Sequence, residues 1–405
     1  MNVTIWPGKL AGTILPPSSK SQGHRYVIAA ALAAGESVIG NLSFSEDIEA
    51  TLRCMETLGA IVKRQMDGAT LRGGPCPAEI PVLDCGESGS TLRFLIPVVL
   101  ALAGGGVFRG RGRLMQRPQE PYFAIFRKKG IAFSAEGDTL TIKGRLTPDV
   151  FELPGNVSSQ FITGLMYALP LLDGDSEIRL TSPLESAGYV DMTRDALKTC
   201  GVEICDIPGG WEIPGRQRYC PAKVSVEADW SQGAFFLAAL GLGHDLTIKG
   251  LNSSSCQGDR IILDYEKKLD GAGTVELNVR NCPDLVPALA ARAALRDGEI
   301  TRIENASRLR LKESDRLAAV TDVLRTMGAG VTEEPERLTI LGRNRLRGGV
   351  TVDSWNDHRI AMMAAVAALS CEAPVTVAGA ECVRKSYPGF WNDLKGLGAV
   401  LEVSE

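Results

Sequence analysis

Apolar and polar positions along the chain follow two periods. Short runs such as SVIGNL (37–42) and DLTIKGL (245–251) alternate, as half-buried strands do. Longer runs such as SQGAFFLAALGL (231–242) carry apolar residues at helical spacing behind a Ser/Asp start at Asp229–Ser231. The helices expected after Ser158, Asp229, Asp284 and Asp357 are apolar almost all round. A helix of that kind lies inside a domain rather than on its surface. The pattern therefore predicts an α/β (α+β) protein whose sheets enclose buried helices.

The pattern also repeats. A helical segment ends in a glycine and gives way to a β-rich run at METLGAIVKR, FRKKGIAFSA, LKTCGVEICD, KKLDGAGTVEL, LRTMGAGVTE and LKGLGAVLEV. The glycines are Gly59, Gly130, Gly201, Gly273, Gly328 and Gly398, spaced 71, 71, 72, 55 and 70 residues apart. Glycine is the usual left-handed residue that ends a helix before a strand. Six such joints at nearly constant spacing indicate an internal repeat. Six units in 405 residues suit two domains of three units each. The fourth unit is the shortest.

Hydrophobic content (44%) and charged content (23%) are ordinary for a globular protein. The net charge of −4 and a pI near 5.7 give no long-range positive field, which excludes nucleic-acid and membrane-surface binding as the main activity. No apolar stretch is a convincing membrane span, since Phe94–Val107 is broken by Pro97 and Gly104–Gly106. The start, MNVTIWPGKLAG, lacks the pattern of a signal peptide. Ten scattered cysteines without a C-x-x-C pair read as free thiols of a reducing cytoplasm. Three histidines, His24, His244 and His358, form no zinc-spaced set with them, so no metal site is expected.

Within this acidic chain seven cations recur beside small polar residues or a loop glycine, just ahead of apolar helical runs. They are Lys20, Arg25, Arg93, Arg117, Arg316, Arg359 and Lys385. A helix start offers free N–H groups, and an added cation makes an anion site. Each motif also has a plainer explanation. SSKSQGHR could be a solvated first turn, GESGSTLR an ordinary turn and cap, and NVSSQF, with Ser158, Ser159 and Gln160, simple capping. LKESDRL places Glu313 among cations, where it could transfer protons or join an exposed salt-bridged helix start. NDHR opens a buried helix, and its Arg359 requires an anion. Asp284 in PDLVPALA reads as an N-cap or a general base. No Ser-His-Asp order, Gly-x-Ser-x-Gly elbow, Walker loop or dinucleotide fingerprint is present. This inventory suits proton transfer on an anionic substrate without metal or organic cofactor.

Taken in order, the motifs resemble those of the 5-enolpyruvylshikimate-3-phosphate synthase family of enolpyruvyl transferases. KSQGHR is similar to its Lys-Ser-x-x-x-Arg element and GESGSTLR to its Gly-Asn-x-Gly-Thr-x-x-Arg loop. QRP, VSSQF, SAGYVDMT, LKESDRL, NDHRIAM and RKSYPGF match its Arg-Pro, Ser-Ser-Gln, Ser-x-x-Tyr, Lys-Glu-(Ser/Thr)-Asp-Arg, Asn-Asp-His-Arg and Lys-(Ser/Thr)-(Tyr/Phe)-Pro elements. The resemblance implies two domains, each of three βαβαββ units, with the active site in the cleft between them. One would comprise 1–16 with 228–405 and carry an acid/base pair and phosphoenolpyruvate-side residues. The other, 17–227, would be inserted and carry shikimate 3-phosphate-side residues.

The resemblance further implies enolpyruvyl transfer from phosphoenolpyruvate to the 5-hydroxyl of shikimate 3-phosphate, by a monomer needing no cofactor. Lys20, Ser21, Arg25, Ser158, Ser159, Gln160, Ser186, Tyr189, Asp284 and Lys312 would hold shikimate 3-phosphate. Lys20, Gly89, Arg93, Arg117, Gln160, Arg316, Arg359 and Lys385 would line the phosphoenolpyruvate side. Asp284 and Glu313 would move protons, with Lys20 as a third catalytic group. The chain departs from the family pattern at Glu87 (usually Asn), Ser90 (Thr), Phe94 (Pro), His24 (Asn) and Arg308 (Asn). Gly89 is kept, which implies sensitivity to glyphosate. The sister enzymes acting on UDP-N-acetylglucosamine are the alternative. Their loop cysteine has no counterpart, since no cysteine lies between Cys85 and Cys200. RNA 3′-phosphate cyclases, which need a nucleotidylated His and a basic face, and a non-catalytic anion binder fit less well.

Overall fold

The structure is a computed structural model that describes residues 1–76 and 78–405. It divides into two compact units, Met1–Pro17 with Ala228–Glu405, and Ser18–Glu227.

In the unit Ser18–Glu227, three four-stranded sheets share one plan. In one of them Val82–Asp84 runs parallel to Gly105–Arg109, and Thr139–Lys143 and Ala132–Glu136 complete the sheet antiparallel. The sheet of Val150–Leu153, Ser176–Leu180, Gly210–Ile213 and Cys205–Ile207 repeats this order. The third takes its outer parallel strand, Lys223–Ser225, from the far end of the unit and pairs it with Glu36–Gly40. Helices Lys20–Leu32, Gly89–Leu102 and Ser159–Ala168 are buried along most of their length.

The other unit has two full sheets of the same plan. One is Val275–Asn278, Ile300–Glu304, Leu338–Leu341 and Gly330–Glu333; the other is Val350–Asp353, Val375–Ala378, Asn2–Ile5 and Leu401–Ser404. Its third sheet is only the parallel pair Ala11–Ile14 and Asp245–Ile248. Helices Trp230–Gly241, Val286–Ala293 and His358–Ala368 fill its core.

Buried helices inside sheets are thus what the all-round apolar pattern produces. All six joint glycines have positive φ, from 67° at Gly130 to 104° at Gly328, which a side chain would disfavour. The short spacing after Gly273 also has a physical reason. Gly59, Gly130, Gly201 and Gly328 lead into an antiparallel hairpin and Gly398 into Leu401–Ser404, which pairs antiparallel with Asn2–Ile5, whereas Gly273 leads directly to Val275–Asn278, the first strand of the next sheet. The two-stranded repeat lacks its hairpin. Most inner helices start on a Ser or Asp whose side chain accepts a backbone N–H: Ser19, Ser88, Ser158, Asp229 and Asp357. Among the described residues no helix is long and apolar enough to cross a membrane.

Candidate active site

In the unit Ser18–Glu227, Lys20, Ser21 and Arg25 occupy the first two turns of Lys20–Leu32. Lys20 Nζ lies 2.6 Å from Asp47 Oδ2, both largely buried. Arg25 is 2% exposed. It donates from Nε to Thr193 Oγ1 (2.9 Å), from Nη1 to the Ser21 carbonyl (2.7 Å) and from Nη2 to the Tyr189 carbonyl (2.8 Å). Its guanidinium also lies over the rings of Phe94 and Tyr189, at 5.2 and 5.9 Å. Ser21, Arg25 and Tyr189 therefore meet. Ser186, buried at the start of helix Ala187–Thr199, has φ 58°. That left-handed conformation costs a non-glycine residue roughly 1–2 kcal/mol, a strain typical of functional positions.

A second group forms around the glycine-rich loop. Arg93 Nη1 donates to Gln160 Oε1 at 2.8 Å and Nη2 to the Pro118 carbonyl at 2.9 Å, over the Phe161 ring at 4.7 Å. Gln160 Nε2 donates to Ser90 Oγ at 3.0 Å. A Cβ on Gly89 would stand 2.5 Å from Arg117 Nη1, so the Arg117 guanidinium packs directly on that glycine. Ser158 accepts the Gln160 N–H at 3.3 Å, and Ser159 is buried beside it. Glu87, the departure of most concern, turns its carboxylate onto Gly112: a Cβ there would meet Glu87 Oε2 at 2.6 Å.

In the unit containing Ala228–Glu405, carboxylates and cations form one buried cluster. Asp284 sits in the 3₁₀ turn Pro283–Leu285 and caps no helix, which removes the N-cap alternative. Its carboxylate meets Arg316 Nη1 at 2.7 Å, Lys312 Nζ at 3.1 Å and Arg359 Nη2 at 3.4 Å. Burial alone would raise its pKa, but Arg359, Lys312 and Arg316 outweigh burial and hold it well below the usual carboxylate range. Burial lowers the Lys312 pKa despite the attraction of Asp284. Glu313 Oε2 meets Arg316 Nη2 at 2.7 Å. Arg316 is 1% exposed, so LKESDRL is not an exposed salt-bridged helix start. Its Nε donates to Asp357 Oδ2 at 2.7 Å.

Asp357 caps His358–Ala368 by accepting the Arg359 backbone N–H at 3.0 Å, and Asp284 supplies the anion for the Arg359 guanidinium. Lys385 stands ahead of the short helix Phe390–Gly396. It ends the 3₁₀ turn Ala380–Lys385, and its Nζ donates to the Asn356 carbonyl at 2.7 Å, beside the start of His358–Ala368. Arg308 donates to the Arg280 carbonyl.

Several residues of these clusters carried no decisive sequence signal. Asp47 looks like any acid in a first helical turn, a place acids favour anyway. Asp357 was visible only as a polar residue opening a helix. Asp259, 3% exposed and hydrogen-bonded to Ser231, has its pKa pushed up to about 6 by burial and by the charge of Asp284. Nothing in CQGDRI announces this. Among the described residues no group of three or more His, Cys, Asp or Glu could hold a metal ion.

The model of one family, EPSP synthase (3-phosphoshikimate 1-carboxyvinyltransferase), matches residues 6–394. The chain belongs to the EPSP synthase family. Curated members named 3-phosphoshikimate 1-carboxyvinyltransferase include one from Clostridium acetobutylicum, 49% identical over 98% of this chain and 97% of its own length. Another, from Clostridium novyi, is 43% identical over 99% of this chain and 98% of its own length. In fold, the chain is similar to an EPSP synthase from Acinetobacter baumannii, with a TM-score of 0.81, 24% identity and full coverage of both chains. It is also similar to the enolpyruvyl transferase NikO from Streptomyces tendae, with a TM-score of 0.79 and 18% identity over 99% and 98% of the two chains. EPSP synthase family membership does not favour the nucleotide-sugar alternative.

Proposed function

We propose that the chain transfers the enolpyruvyl group of phosphoenolpyruvate to the 5-hydroxyl of shikimate 3-phosphate and releases inorganic phosphate, a step toward aromatic amino acids. The family match across residues 6–394 carries this reading, and the chemistry of the three groups of residues agrees with it.

The 5-hydroxyl loses its proton as its oxygen bonds to C2 of phosphoenolpyruvate, and C3 gains a proton. The tetrahedral intermediate then loses a C3 proton as the C2–O bond to phosphate breaks. Asp284 is assigned the hydroxyl proton; three cations keep it ionised, and it would gain basicity as the substrate anions draw those cations away. Glu313, against the same Arg316, is assigned the proton at C3. Lys20 is the third proton-handling candidate.

Ser21, Arg25, Ser158, Ser159, Gln160, Ser186, Tyr189 and Lys312 are assigned to shikimate 3-phosphate. Gly89, Arg93, Arg117, Gln160, Arg316, Arg359 and Lys385 are assigned to phosphoenolpyruvate. Many of these cations are neutralised by the protein's own carboxylates, as Lys20 is by Asp47 and Arg316 by Asp284, Glu313 and Asp357. Substrate carboxylate and phosphate groups would exchange with those partners, and arginine suits both bidentately. The assigned residues are divided between the two units.

The test is phosphate release from phosphoenolpyruvate with shikimate 3-phosphate or with UDP-N-acetylglucosamine as acceptor. Release with shikimate 3-phosphate alone, and its loss in Glu313→Gln, is the expected result. Release with the nucleotide sugar alone would refute the reading.

A further inference from the structure

We propose that His24, Thr51, Thr91 and Ser88 form a buried chain of hydrogen bonds that positions the Gly86–Arg93 loop for phosphoenolpyruvate, an inference that rests on the function proposed above. None of the four has been given a role so far beyond the cap made by Ser88. All are buried, with exposures of 0% for His24, Thr51 and Thr91 and 1% for Ser88. His24 Nδ1 lies 2.7 Å from Thr51 Oγ1, Thr51 Oγ1 2.7 Å from Thr91 Oγ1, and Thr91 Oγ1 donates to Ser88 Oγ at 2.7 Å. Ser88 Oγ in turn accepts the Thr91 N–H at 3.1 Å and so caps the helix Gly89–Leu102.

The chain has one direction. A hydroxyl has a single proton to donate. Thr91 gives its proton to Ser88, so the proton between the two threonines comes from Thr51. The alternative acceptor for Thr51, the Asp47 carbonyl, is 3.4 Å away and much the weaker. Thr51 must then accept from His24, whose Nδ1 carries the proton. Burial, and after it the charges of Lys20 and Arg25, hold the His24 pKa well below its usual value, so the ring is a neutral donor. Among the described residues its Nε2 has no hydrogen-bond partner, and Thr51 is the only one the ring is hydrogen-bonded to.

This path joins two elements that carry assigned residues through a third that carries Asp47, the partner of Lys20. His24 lies between Lys20 and Arg25 on Lys20–Leu32. Thr51 lies one turn beyond Asp47 on Glu46–Thr57. Ser88 directly precedes Gly89, and Thr91 lies two residues before Arg93. The His24 ring also meets Phe94 edge-on at 6.4 Å. Both residues depart from the family pattern, and they pack on each other. Buried polar chains are stiff when every link is satisfied and costly when one is cut. The Lys20–Leu32 end is fixed by ten buried helical residues. A cut would therefore be relieved at the loop, moving Gly89 and Arg93.

The experiment is initial-rate kinetics of phosphate release, varying each substrate in turn, with melting temperature measured alongside. Thr51→Val removes the central link, and His24→Phe keeps a ring while removing the donor. Each is expected to raise KM for phosphoenolpyruvate about tenfold and to leave KM for shikimate 3-phosphate within about twofold. Thr51→Ser, which keeps the hydroxyl, is expected to retain the wild-type values. Both variants with unchanged KM values, or with the two KM values raised equally and no rescue by serine, would overturn the chain while leaving the proposed function standing. If one variant does not fold, the other decides. A wild-type protein that releases no phosphate with shikimate 3-phosphate would refute the function and the chain with it.

Discussion

Gly89 and Arg117 set a spacing that one methyl group would change. The Cβ of an alanine at position 89 would stand 2.5 Å from Arg117 Nη1, inside any tolerable contact, and the flexible guanidinium would be the part to move. Gly89→Ala is therefore expected to fold normally and to raise KM for phosphoenolpyruvate about tenfold, by loss of one charge-assisted contact. Steady-state kinetics checks this. With Gly89 present, glyphosate is expected to inhibit competitively with phosphoenolpyruvate, and indifference to millimolar inhibitor would contradict that. Asp284→Asn removes the carboxylate proposed as the base but leaves Arg316 with Asp357 and Glu313. It is expected to lower kcat by about 10²- to 10⁴-fold without loss of fold, measured by phosphate release and circular dichroism.

At the scale of elements, much of the chain was legible because backbone needs mark single residues. A helix ending before a strand asks for glycine, and a buried helix start asks for Ser or Asp. The joints at Gly59 and Gly398 and the caps at Ser158 and Asp229 could accordingly be read. The sequence did not reveal the meeting of distant elements. Lys20 finds Asp47 and Asp284 finds Arg359 through tertiary packing, which leaves no local pattern.

Glu266 on helix Ile262–Leu269 is another such case, a carboxylate 13% exposed, 3.4 Å from Arg292. Burial pushes its pKa up from 4.5 to about 7, against the pull of Arg292. The folded state therefore holds this proton more tightly than the unfolded chain does. Its contribution to stability is full below about pH 4.5 and is lost as pH rises through about 7, on the order of 3 kcal/mol in all. Melting temperatures from pH 5 to pH 8 are expected to show this decline, and Glu266→Gln to flatten it. Arg292 keeps Asp270 at 2.8 Å in that variant.

Across the whole molecule a net charge of −4 coexists with many buried cations, because nearly every cation in the three groups has a carboxylate or carbonyl against it. The folded chain is thus electrostatically closed before it meets an anion. Shikimate 3-phosphate, binding the folded state alone, is expected to raise the melting temperature. At 100 times its dissociation constant, the stabilisation is about 2.7 kcal/mol. Scanning calorimetry with and without the ligand checks this, and no shift would show that Arg25 and Lys312 do not hold it.

The way the chain leaves and re-enters its first unit has a further consequence. Ser19 N donates to the Glu227 carbonyl at 2.7 Å, and Asp229 N to the Pro17 carbonyl at 2.8 Å. The two ends of Ser18–Glu227 therefore meet, and so do the two ends that its removal would leave. For a gene, that makes the segment a cassette. Its coding sequence can be lifted out, closed by a short linker and reopened at another surface loop, and the flanking sequence can be rejoined across the gap. Fusion, permutation or exchange with a relative could begin at these two junctions.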